Sequence, residues 1–249
     1  MIQVLERMFD ILDIIANEKQ VGVTEIAKVI GVNKSTVSRI LATLEMKNLV
    51  EKDRLSSKFK LGIGFIRYSN SVLNNIEITE VARPFLEELV TVTQESAHLG
   101  ILAKNKAVFI GQKKSLEVIN VSAKIGEEEA VYCSAVGKSL IAFLPEKQLD
   151  EMVNNLELKA LTPRTITAKP VLLANLESVR SLGYAVDDEE IHPGVRCIAA
   201  PIRNYRGNVI ASLGISGPAN RIILDNIEKY ANHVKDIADQ VSERLGYGS

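Results

Sequence analysis

The chain has 249 residues, of which 46% are hydrophobic and 24% charged, with a net charge of −1; this is the balance of a globular protein with room for two domains. No apolar run nears the roughly 20 residues that span a bilayer. Glu6, Asp10 and Asp13 interrupt the N-terminal apolar positions, and Cys133 and Cys197 build no disulfide framework, so no membrane partner is expected and the cytoplasm is the expected compartment.

Val4, Leu5, Met8, Phe9, Ile11, Leu12 and Ile15 predict a first amphipathic helix. Thr24, read as an N-cap, opens a second helix through Ile26, Ala27 and Ile30, which stops at Gly31. After the turn Gly31-Val32-Asn33, a third helix places Val37, Ile40, Leu41 and Leu44 on one stripe. Its other face carries Lys34, Ser35, Ser38, Arg39 and Thr43, short hydroxyls and cations of the kind that bond phosphate oxygens and base edges. This is the pattern of a DNA-binding helix-turn-helix. Residues 49–52 and 58–61 alternate around Asp53-Arg54-Leu55-Ser56-Ser57 as a β-hairpin wing, from which Arg54, Lys58 and Lys60 could reach the DNA backbone; a solvated hairpin is the alternative for each. Residues 1–75 carry a charge of +3 and the remainder −4, so one copy neutralises few phosphates and tight binding calls for two or more.

Residues 61–72 read as a linker helix, and 77–93 as a further helix with Phe85, Leu86, Leu89 and Val90 inside. Strands are expected at 97–103, 107–112, 116–122, 184–186, 195–203 and 208–216, and helices at 134–144, 172–182 and 221–245. Strands and helices without regular βαβ alternation make this an α+β domain around an antiparallel sheet.

Catalytic motifs fare poorly. Gly137-Lys138-Ser139 lacks a P-loop's first glycine, because position 132 is Tyr132. Cys197 sits in an apolar run and reads as a buried strand cysteine; an enzyme using Cys197, Asp187 and His98 on a small acid is the alternative. The histidines and cysteines lack zinc spacing, so no metal or cofactor is expected. In Asp187-Asp188-Glu189-Glu190 an exposed loop is the plain reading, yet the run into Gly194-Val195-Arg196-Cys197 leaves room for one carboxylate to turn inward beside a pocket.

Glu25-Ile26-Ala27, Lys34-Ser35-Thr36-Val37-Ser38-Arg39-Ile40-Leu41, Ser134 to Lys138, Gly183 to Glu190 with Gly194, Cys197 to Pro201 and Ser216-Gly217-Pro218 stand in one order. With them the chain resembles the IclR (isocitrate lyase regulator) family of bacterial transcription factors over essentially its whole length. The resemblance implies a winged helix-turn-helix over 1–61, a linker helix over 62–76 and a GAF/PAS-like effector-binding domain with an antiparallel sheet over 77–249. It implies homodimers or homotetramers on double-stranded operator DNA, with repression of a catabolic operon expected ahead of activation, and no enzyme activity. On the DNA side it adds Thr36 to the residues already named. A small organic or aromatic acid would lie against Val118, Val121, Ala135, Val136, Asp187, Val195, Cys197 and Ser216, with Asp187 accepting from a ligand hydroxyl. Gly214 stands where some acid-binding relatives have a serine.

Overall fold

The computed structural model describes residues 3–68 and 77–248, which divide into two compact units, 1–76 and 77–249.

In the first unit, α1 (Gln3–Glu18), α2 (Val23–Ile30) and α3 (Lys34–Met46) pack around Ile11, Ile15, Ile26, Val37 and Leu41, and a two-stranded wing follows, β1 (Val50–Lys52) with β2 (Phe59–Leu61). Val21 adds a bridge to Phe59, closing the wing onto the helices. The N-cap of α2 is Gly22, not Thr24: Gly22 is extended, and the Glu25 carboxylate reaches back to accept its N–H at 2.8 Å. Gly31 ends the helix in the left-handed conformation, which a residue without a Cβ adopts without strain. After the wing, the Gly62 and Gly64 N–H groups donate to the Leu49 and Asn48 carbonyls at 2.8 Å, and a Cβ at either glycine would run into the Asn48 carbonyl. Residues 64–68 are helical; the rest of the expected linker helix lies outside the described residues.

The second unit begins with α4 (Glu77–Thr93), which buries Leu86, Leu89 and Val90 as its pattern requires. Its sheet is antiparallel, with strands in the order β5-β4-β3-β8-β7-β6: β3 (Ser96–Ala103), β4 (Lys106–Lys113), β5 (Glu128–Ala130), β6 (Ala185–Asp188), β7 (Val195–Arg203) and β8 (Val209–Pro218). One face packs on α5 (Ala135–Ile141), α6 (Glu146–Asn155) and α7 (Lys169–Leu182). The other packs on α4 and α8 (Ile227–Arg244). No described helix is long and apolar enough to cross a membrane.

Three expectations change. Residues 116–122 form no strand: Ser115 is tied to Ser96 and Gln94, after which Leu116, Val118 and Ile119 stand 97%, 98% and 70% exposed with no strand beside them. The strand pairing with β4 is instead the short β5, whose Glu128 and Glu129 disguise it. The C-terminal helix starts at Ile227 rather than Arg221: the Arg221 and Ile222 N–H groups close a turn on the Pro218 carbonyl at 2.9 and 3.0 Å, a 3-10 turn over Leu224–Asn226 follows, and the Arg221 guanidinium pairs with Glu95, 2.6 Å at each contact.

Candidate functional sites

On α3, Lys34, Ser35, Ser38, Arg39 and Thr43 are exposed opposite the buried Val37, Leu41 and Leu44. Thr36 is half-buried and lines a groove against α1 with Met8. Thr43 donates its hydroxyl to the Arg39 carbonyl at 3.0 Å, so as a donor it is already engaged. Arg39 and Lys34 carry no salt bridge among the described residues. In the wing, Asp53 accepts the Leu55 and Ser56 N–H groups at 3.1 and 2.7 Å, and these hydrogen bonds, led by Ser56, hold its carboxyl below the usual range. That turn presents Arg54 to solvent, whereas Lys58 is half-buried and lies 3.6 Å from Glu25, and Lys60 lies 3.3 Å from Glu51. The surface has the composition for phosphate and base contact, with Arg54 the freest of the three expected wing residues.

In the second unit, register builds a polar row. Asp187 of β6 pairs with Cys197 of β7, Cys197 with Ser216 of β8, and Ser216 with Ser96 of β3. Paired side chains leave a sheet on one face, so four strands contribute to one line. Val195 is half-buried two positions along β7, on the same face. Ala135 and Val136, 1% and 6% exposed, open α5 above it. As the first residues of the helix they have N–H groups without an intrahelical acceptor. Ser134 caps this turn, its hydroxyl accepting the Gly137 N–H at 3.0 Å. Val118 does not line a wall: it is 98% exposed in the loop before β5, while Val121 in the same loop is half-buried.

The four-carboxylate run splits by direction. Asp187 and Glu190 turn inward and Asp188 and Glu189 outward, since Glu189 takes φ +60° and reverses the alternation. Asp188 pairs with Arg164 and Arg196, and Glu189 accepts the Gly194 N–H at 2.8 Å. Glu190 pairs with Lys138, which is wholly buried in α5 and also donates to the Val186 carbonyl at 2.6 Å. Asp187 accepts the Glu190 N–H at 2.7 Å, but burial outweighs this and raises its carboxyl to about 7. Burial, and then the charge of Asp187, raises Glu129 of β5 to about 7 as well. Sequence reasoning missed Glu129 and Lys138: one sits on a strand too short to recognise, and a lone helical lysine carries no sign of burial.

The Cys–His arrangement is not assembled. Burial pushes the Cys133 thiol up to about 12 and holds Cys197 well above its ordinary value, the reverse of an activated thiolate. His98 lies two strands from Cys197, and neither ring nitrogen has a hydrogen-bond partner among the described residues.

Comparison with known proteins covers both units. The family model described as the IclR helix-turn-helix domain matches residues 4–54, and that of the bacterial transcriptional regulator IclR C-terminal matches residues 70–243. The chain is 34% identical to the transcriptional regulator BhcR of Paracoccus denitrificans over 97% of its own length and 86% of the relative's. It is 33% identical to the transcriptional repressor AllR of Salmonella typhimurium over 98% and 90%. The crystal structure of the Thermotoga maritima IclR superposes with a TM-score of 0.83 at 34% identity, covering 99% of this chain and all of that one (100%).

Proposed function

The chain belongs to the IclR family of bacterial transcriptional regulators, and on that premise we propose that it represses a catabolic operon and releases its operator when a small organic acid occupies the second unit. The division of labour we propose is operator binding by 1–61, a linker over 62–76 and effector binding by 77–249 in a GAF/PAS-like fold. The observation that carries the effector half is the row Asp187, Cys197, Ser216 and Ser96 beneath α5, with carboxyls raised by burial. An acid would find the Ala135 and Val136 N–H groups and the Ser216 hydroxyl, and a protonated Asp187 would not repel it. Val195 and Cys197 supply walls, and Val121 an edge.

Operator contact in this reading falls to Lys34, Ser35, Ser38 and Arg39, with Arg54 on the wing, and we assign Thr36, Thr43 and Lys58 a supporting part. Val4, Leu5 and Phe9 leave α1 with an exposed apolar face, 53%, 45% and 60% accessible, which supports pairing of two copies on adjacent half-sites roughly 34 Å apart. Repression is favoured over activation by AllR, a relative whose name is that of a repressor. Selection of bound fragments from the source genome, with competition at two salt concentrations, tests the reading. Enrichment of a palindrome upstream of a catabolic operon, released by an acid, is the expected result. Binding that is indifferent to sequence and vanishes with salt would refute it.

A further inference from the structure

The face that carries the polar row holds a second pair of side chains with nothing to bond. His98 is 2% exposed and neither ring nitrogen has a hydrogen-bond partner among the described residues; Nε2 of Gln112 is likewise buried without one. The two are cross-strand partners on β3 and β4, and on its other side His98 stands opposite Gly214, which has no side chain to offer. Positions two apart on a strand point the same way, so His98 shares its face with Ser96, and through it with Ser216, Cys197 and Asp187. Above, α5 comes so close that a Cβ at Gly100 would sit 2.6 Å from Val136, while Phe109 meets the imidazole edge-on at 5.5 Å. Buried polar atoms in folded proteins are nearly always bonded, so three orphans in one cross-strand pair point to an absent partner. Desolvation holds His98 down at about 4, leaving a neutral ring with one donor and one acceptor. Together with an amide, that complements an alcohol, which donates to the ring's acceptor nitrogen as an anion does not. His98 and Ser216 are diagonal neighbours, about 7–8 Å apart between Cα atoms, so a group read at His98 is a different part of the effector from one held at Ser216.

Resting on the effector reading above, we propose that His98 and Gln112 form a second polar subsite that reads a hydroxyl of the effector away from its carboxylate. The effector is then a hydroxylated carboxylic acid. The test is calorimetric titration of the full chain with threonate and gluconate, each against its unhydroxylated counterpart, butyrate or hexanoate, and with glyoxylate as the short acid. In the native protein at least one hydroxylated acid is expected to bind tenfold or more tighter than its counterpart. His98→Phe and Gln112→Met should each abolish that preference and leave glyoxylate affinity unchanged; Gln112→Met, a change of similar volume, serves if His98→Phe fails to fold. Glyoxylate binding without any preference for the hydroxylated acids, or a preference that survives both substitutions, overturns the subsite while the effector reading stands. Failure of all five acids to bind overturns both.

Discussion

Arg39 is exposed on α3 without a salt bridge among the described residues, so none of those residues competes for its guanidinium through an ion pair. Arg39→Ala is expected to cost about 1–3 kcal/mol of operator binding, roughly a 5- to 150-fold loss in a gel-shift titration, with far-ultraviolet dichroism unchanged. Asp187 makes a different kind of statement. Its folded-state value, about 7, lies above the ordinary 3.8, so the native protein binds the proton more tightly than the unfolded chain does. Stability from this group is therefore greatest at acid pH and is lost as pH rises from about 4 through 7. Glu129 adds to the same trend, and the two titrate as a pair. Asp187→Asn should flatten the fall in Tm between pH 5 and 8 and raise Tm at pH 8 by about 3 °C, the shift expected of roughly 1 kcal/mol in a chain of this size. An unchanged pH profile in differential scanning fluorimetry would contradict this. The inward turn of Asp187 and Glu190 was only half legible: four consecutive acids announce a choice of direction, but a single left-handed residue at Glu189 decides it.

At the scale of elements, what was readable was whatever buries a clean face. The stripe of α3 and the apolar run of β7, residues 195–203, emerged with the expected bounds or close to them because burial alone specifies them. Helix α6 was missed, since Glu146–Asn155 offers only Leu149, Met152 and Val153 to the core. Residues 116–122 misled for the opposite reason: apolar content without a neighbouring strand makes no sheet, and Leu116 and Val118 remain in solvent. The tie between α5 and the turn after β6 was not legible at all, because it rests on one wholly buried lysine. Lys138→Met leaves Glu190 buried without its cation and is expected to cost about 3–5 kcal/mol. Adding Glu190→Leu should recover most of that loss in urea denaturation. Equal stability of the single and double variants would show that the pair does not hold these elements together.

For the molecule as a whole, charge is divided in the direction operator binding needs, +3 over residues 1–75 and −4 beyond. So small an excess makes affinity depend on the number of copies that bind together. Phe9→Glu places a charge on the exposed face of α1 and should shift the sedimentation profile toward monomer while weakening operator binding at least tenfold; a variant that keeps both the native mass and the native affinity would remove α1 from the pairing surface. The two units read differently from sequence. The first is specified by local periodicity, whereas the polar row of the second is assembled from β3, β6, β7 and β8, strands as far apart in the chain as Ser96 and Ser216.

Gly62 and Gly64, packed backbone to backbone on Asn48, have a mechanical consequence. The strand leaving the wing is clipped to the turn that follows α3, with no side chain between them to act as a cushion. A pull or twist arriving at Phe65 is thus delivered to the end of α3 without slack, as through a rigid coupling rather than a spring.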